Sequence, residues 1–116
     1  MAAVYVQVVA DLSVEVERAA GAAVVRVVGD LDRLTAPGVE ARLAELAADG
    51  RLDVVFDASG LAFCDSSGLR VLVEHRRRLG ELGGSLRLIG VHGKFQRVLD
   101  VTGLRDVFDA VSPAQL

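Results

Sequence analysis

The stretch that decides the fold runs from Asp53 to Leu69, with the sequence DVVFDASGLAFCDSSGL. Its apolar start, Val54-Val55-Phe56 between two aspartates, predicts a short buried strand that ends at Asp57. After a short loop, Asp65-Ser66-Ser67-Gly68 precedes apolar residues at helical spacing, which are Leu69, Leu72, Val73 and Leu79. The pattern predicts a strand, a loop and then a helix that is capped by serine and closed by Gly83-Gly84.

Three strands and a helix are predicted upstream of this stretch. Alternating valines indicate two one-faced strands, at Val4, Val6 and Val8 and at Val14 and Val16. The valine-rich run 22–28, which ends at Gly29-Asp30, indicates a more deeply buried strand paired with the second one across a short turn. The helix is predicted to begin with the Thr35 hydroxyl as N-cap and Pro37 in its first turn, and to end at Gly50. Its apolar stripe consists of Val39, Leu43 and Leu46.

Downstream, Leu86, Leu88 and Ile89 predict another strand. Residues 95–101 predict a third helix with Val98 and Leu99 facing inward, and residues 104–111 predict a weak final strand or turn. The order β-β-β-α-β-α-β-α predicts a single α/β domain over residues 1–116. We expect a mixed sheet of four to six strands with three or four helices mainly on one face.

Composition excludes several classes of function. The chain has 116 residues, 52% of them hydrophobic, which suits one folded domain, and its net charge of −3 disfavours nucleic acid as a partner. The basic run Arg76-Arg77-Arg78 is flanked by Glu74 and Glu81, as is typical of a solvated helix face. No segment is long and apolar enough for a membrane span and no signal peptide is evident, so we expect a cytoplasmic protein without a membrane partner.

Metal and enzyme motifs are weak. A single cysteine excludes an internal disulfide. One cysteine and two histidines are also too few for a structural zinc site, so neither a metal nor another cofactor is expected. The Gly93-Lys94 loop lacks the Walker motif, which needs glycine at Leu88 and serine or threonine at Phe95. His75 lies roughly 13 Å along the helix axis from Ser66, too far to act as its base. His92 is a lone loop histidine, and no catalytic residue is predicted.

The carboxylate and hydroxyl cluster before the second helix has two interpretations. Asp65, Ser66 or Ser67 could do no more than cap the helix, with Gly68 relieving crowding in the first turn. A serine hydroxyl exposed at a helix N-terminus is also well placed to accept a phosphoryl group from an external kinase.

This segment resembles the signature loop of the STAS domain, in the form carried by bacterial anti-sigma factor antagonists. Two further blocks are similar to the same family in the same order: Gly29-Asp30-Leu31-Asp32 with Thr35-Ala36 before the first helix, and Phe95 to Leu104 at the last helix and its Thr-Gly-Leu exit. Val54 to Asp57 resembles the central strand of the family. The departures are Cys64, where another apolar residue is common, and Ala58, which replaces a common leucine.

The resemblance implies a non-enzymatic switch protein. Members of this family bind, in their unphosphorylated form, a serine kinase of the histidine-kinase-like ATPase superfamily that doubles as an anti-sigma factor, and so release the sigma factor. Ser66 would then be the phosphoacceptor, with a serine phosphatase for reactivation. Asp32, Asp65, Ser67 and Gly68 would lie at the docking surface, with Leu69 anchoring the loop in the core.

Two other classes of function stay open from the sequence. The chain could be a STAS interaction subunit of a transport or signalling complex, in which the serine is not phosphorylated. It could also be a small hydrolase or nucleotide-binding enzyme that uses Ser66 or the Gly93-Lys94 loop.

Overall fold

A mixed five-stranded sheet carries the fold in the computed structural model, which describes residues 3–9 and 12–108. Along the chain, the elements are β1 (Ala3–Val9), β2 (Leu12–Ala19), β3 (Ala22–Leu31), α1 (Ala36–Ala48), β4 (Asp53–Cys64), α2 (Ser66–Glu81), β5 (Ser85–Ile89), α3 (Gly93–Thr102) and α4 (Leu104–Phe108). The strands are ordered in the sheet as they are in the chain. β1, β2 and β3 form an antiparallel meander, whereas β4 and β5 each run parallel to the preceding strand. The predicted number and mixture of strands are confirmed.

The core lies on one face of the sheet. In β2 and β3 every second side chain is buried, as shown by Val14, Val16, Val25 and Val27, and the stripe of α1 is buried as predicted. The opposite face of the same strands carries charged side chains together with Val24 and the exposed Val28. There Arg26 forms ion pairs with Glu15, Glu17 and Asp57 at 3.3, 3.6 and 3.8 Å. One apolar and one charged face explain why the helices pack on a single side of the sheet.

The fourth strand is longer than predicted. The sequence predicts a strand that ends at Asp57 and a loop after it, but β4 continues to Cys64 and pairs along its whole length with β3, which itself continues to Leu31. Two irregularities in the β3/β4 register shift the pairing, so the alternation of buried residues is interrupted while the ladder goes on. The break in the sequence pattern therefore marks a bulge instead of a loop.

Three further local predictions, on α1, α3 and α4, are wrong in the described residues. Residues 104–108 form helix α4 instead of a strand, because Leu104 and Phe108 are one helical turn apart and both pack on the core; residues 109–111 of that prediction lie outside the described residues. Val98 is exposed on α3, and Leu99 alone of that pair is buried. Thr35 does precede α1, but its hydroxyl makes no capping bond and instead donates to the Asp30 carbonyl oxygen at 2.8 Å.

None of the described helices has the length and apolar character required to cross a membrane.

Candidate functional site

The first turn of α2 is capped by an aspartate. Asp65 Oδ1 accepts hydrogen bonds from the backbone N–H groups of Ser67 and Gly68, at 2.8 and 3.1 Å. The prediction of a serine cap is therefore wrong, because the carboxylate takes both of the N–H groups that a serine hydroxyl would have satisfied. Ser66 is left exposed at the first position of the helix, and its hydroxyl makes no hydrogen bond to any described residue.

The backbone around Ser66 is fixed to the end of β3. The Asp65 N–H donates to the Leu31 carbonyl oxygen at 3.1 Å, which ties the start of α2 to the neighbouring strand. Gly68 is buried just below, where a Cβ would lie 2.6 Å from Leu31 Cγ and 2.9 Å from the Leu31 carbonyl oxygen. Leu69 is partly buried and packs against the core. The serine therefore lies on a rigid corner between a strand and a helix.

The loop before α1 is held by a second set of hydrogen bonds. Asp32 Oδ1 accepts from the backbone N–H groups of Leu34 and Thr35, at 2.9 and 3.1 Å. The Thr35 hydroxyl, which is buried, accepts from the Asp32 N–H at 2.9 Å while it donates to Asp30. This arrangement is an Asx-type turn, and it gives Asp32 a structural role in addition to any role at the surface.

These two corners meet in one open surface depression. It is lined by Asp32, Arg33, Leu34, Phe63, Asp65, Ser66 and Ser67. The structure thus brings together four of the six predicted site residues, whereas Gly68 and Leu69 lie beneath the surface and hold the corner in place.

Sequence reasoning missed Arg33, Leu34 and Phe63. Leu34 is 73% exposed and Phe63 is 44% exposed, and the two line the same depression, so together they form an apolar patch beside Ser66. A signal was available for Leu34, an apolar residue in a short polar turn. Phe63 could not be assigned, because its orientation depends on the register shift within β4.

The thiol of Cys64 and the imidazole of His75 are not poised for catalysis. Burial, assisted by the negative charge of Asp65, raises the pKa of the Cys64 thiol to about 12, which keeps it protonated and a poor nucleophile. Burial, assisted by the positive charge of Arg78, lowers the pKa of His75 to about 4. Neither side chain lines the depression around Ser66. The arrangement suits a hydroxyl that accepts a group brought by another molecule.

Comparison with known proteins gives a consistent result. Residues 13–114 match the family model of the STAS domain. The chain is 30% identical over 99 residues to the anti-sigma-B factor antagonist of Bacillus subtilis strain 168, covering 85% of this chain and 90% of that protein. It is 31% identical over 83 residues to the anti-sigma-B factor antagonist of Staphylococcus aureus, covering 72% of this chain and 77% of that protein.

A solved structure agrees in fold as well. The crystal structure of an anti-sigma factor antagonist from Mycobacterium paratuberculosis superposes with a TM-score of 0.76 at 31% identity, over 88% of this chain and 86% of that one.

Proposed function

Since the chain belongs to the STAS domain family, we propose that it is an anti-sigma factor antagonist whose partner affinity is set by phosphorylation of Ser66. In the unmodified form it binds an anti-sigma factor that is a serine kinase of the histidine-kinase-like ATPase fold, and the sigma factor is released. In the phosphorylated form it dissociates from the anti-sigma factor, and a serine phosphatase restores the unphosphorylated form. Relatives and a solved structure that carry the antagonist name, at 30 and 31% identity, support this proposal.

The observation that carries the proposal is the exposed hydroxyl of Ser66, which the fold does not use. Because Asp65 caps α2, the serine oxygen is available at the surface without cost to the helix. In the transfer step, Ser66 Oγ attacks the γ-phosphorus of ATP in the partner's site. The new Oγ–P bond replaces the bond to the bridging oxygen, ADP leaves, and the hydroxyl proton passes to a base of the kinase or to water.

The switch follows from local charge. A phosphate on Ser66 adds about −1.5 to −2 charges at neutral pH. It would enter a depression that already holds the carboxylates of Asp32 and Asp65, on the surface that the partner has to cover. Leu34 and Phe63 lie beside it, exposed, and supply apolar area for the same contact. Phosphorylation therefore weakens binding by electrostatic and steric conflict at the interface, with the fold unchanged.

The first part of the test is binding. The wild-type protein and Ser66→Asp are immobilised and exposed to extract of the native cells, and the kinase retained by the wild type is identified, purified and titrated against both. We expect Ser66→Asp to bind at least tenfold more weakly, which corresponds to about 1.4 kcal/mol. Equal affinity of the two forms would refute the switch.

The second part is modification. With that kinase and ATP, intact mass spectrometry should show the gain of one phosphate on the wild type and none on Ser66→Ala. Ser67→Ala is the matched control, since it removes the adjacent hydroxyl and keeps the backbone N–H that Asp65 binds. If Ser66→Ala is still phosphorylated, or if only Ser67→Ala fails to gain the phosphate, the modified residue is not Ser66. A wild type that binds partners but is never phosphorylated would favour a plain STAS interaction subunit.

A further inference from the structure

The loop that carries Arg33 is held rigidly beside Ser66. The carboxylate of Asp32 binds the N–H groups of the next residues, and the hydroxyl of Thr35 closes the turn. The Leu31 carbonyl oxygen accepts from the N–H of Asp65 at 3.1 Å, so the chains leading to Arg33 and to Ser66 are joined by a hydrogen bond. Arg33 follows Leu31 by two residues, which keeps their Cα atoms within about 7.6 Å. Ser66 immediately follows Asp65.

Arg33 is the single cation among the residues that line the depression. It is exposed, and within the described part of the chain its guanidinium takes part in no hydrogen bond or ion pair. Arg33 also lines the adjoining groove, which contains Glu40 and Glu74, but there it is Arg70 that pairs with Glu74, at 3.5 Å. The depression thus combines a phosphorylatable hydroxyl, two carboxylates and one arginine whose charge the fold leaves unused.

We propose that Arg33 is the counter-ion of phosphorylated Ser66, binding the phosphate oxygens through its guanidinium. The inference rests on the proposed function at one point, that Ser66 carries a phosphate. A guanidinium presents N–H donors in a planar fork that matches two phosphate oxygens, and a charge-assisted pair of this kind offsets the repulsion from Asp32 and Asp65. Phosphorylation then changes the docking surface twice. It adds negative charge, and it withdraws from the partner the cation that the unmodified depression offers.

The test needs no kinase. Phosphoserine is placed at position 66 during translation in the full-length chain, and the second pKa of the phosphate is measured by phosphorus NMR. An unperturbed phosphoserine has this pKa near 6. A neighbouring cation stabilises the dianion, so the pKa should be lower in the wild type than in Arg33→Gln by about 0.5 or more. Arg33→Lys, which keeps the charge but not the fork, should give an intermediate value.

A matched control is Arg97→Gln, because Arg97 is an exposed arginine of α3 that does not line the depression. It should leave the phosphate pKa at the wild-type value. As a second readout, the side-chain Nε–H signal of Arg33 should shift when Ser66 is replaced by phosphoserine. Thermal melting shows whether each variant is folded. If Arg33→Gln does not fold, the phosphate pKa of the wild type is compared with that of Arg33→Lys instead.

Equal phosphate pKa values in the wild type and Arg33→Gln, with an unmoved Arg33 signal, would overturn the inference. That result would leave the proposed function standing, since a kinase could still phosphorylate Ser66. Conversely, if no kinase phosphorylates Ser66, the proposed function is refuted. The ion pair between Arg33 and a phosphate placed during translation could still be measured in that case.

Discussion

Replacement of Gly68 by alanine tests the corner on which Ser66 lies. The new Cβ would lie 2.6 Å from Leu31 Cγ, 2.9 Å from the Leu31 carbonyl oxygen and 3.0 Å from Cys64 Sγ. The leucine side chain could turn aside, but the carbonyl oxygen belongs to the backbone of β3 and accepts the hydrogen bond from Asp65. Gly68→Ala must therefore push the start of α2 away from the sheet.

The same helix contains a matched control. Gly80 lies in the last turn of α2, and a Cβ there would meet nothing within 4 Å. Alanine in a helix is favoured over glycine by about 0.8–1.0 kcal/mol, and both substitutions receive a similar share of this gain. Only Gly68→Ala also has the cost of overpacking, about 1–3 kcal/mol. The difference between the two variants isolates that steric cost, and we expect it to be about 2 kcal/mol.

Thermal and urea unfolding of the two variants provide the measurement. For a domain of this size, 2 kcal/mol corresponds to a difference in melting temperature of about 8 °C, with Gly80→Ala at or above the wild type and Gly68→Ala below it. If the kinase partner is in hand, Gly68→Ala should also bind it more weakly, because the corner that presents Ser66 has moved. Free energies of unfolding for Gly68→Ala and Gly80→Ala that agree within about 0.5 kcal/mol would refute the packing argument.

Three further predictions concern the site and its helix. Asp65→Ala should lower the free energy of unfolding by about 1 kcal/mol in urea, while Asp65→Asn, which keeps an oxygen cap, should lose much less; equal losses would contradict the capping role. Leu34→Ser and Phe63→Ser should each weaken binding of the purified kinase partner at least tenfold, about 1.4 kcal/mol, with unchanged melting temperature. The control for that titration is Val101→Ser, which alters an 81% exposed side chain on α3, and an equal effect of the control would disprove the assignment. The pKa of His75 is lowered to about 4 in the folded protein, below its unfolded value near 6.5, so between these pH values the unfolded chain binds the additional proton. Stability should therefore fall as the pH is lowered from about 6.5 to about 4, and this part of the pH dependence should be absent in His75→Gln when both are followed by urea unfolding; identical profiles would show that His75 is not held neutral by the fold.

Much of the architecture is predictable because it depends on local periodicity. Alternating valines place β1 and β2, and the stripes at helical spacing place α1 and α2, since each pattern requires only that one side of an element be apolar. The start of α2 and its polar cluster were also predictable locally, because such a cluster lies between a strand and an apolar helical stripe, whereas the choice of Ser66 within it came from the resemblance to the STAS domain family. The end of β4, the helical α4 and the outward orientation of Val98 were not predictable in this way. They depend on which residues of other elements cover them.

The sequence by itself determined the order of the elements as far as α3, the buried faces of β2, β3 and α1, and the position of Ser66 at the start of a helix. Only the tertiary structure decided which oxygen caps that helix, and that Arg33, Leu34 and Phe63 share a depression with the serine. The reason is that capping and clustering depend on pairing across the sheet. A bulged β3/β4 ladder, with the Leu31 carbonyl oxygen bonded to the N–H of Asp65, brings together two corners that are more than 30 residues apart in the chain.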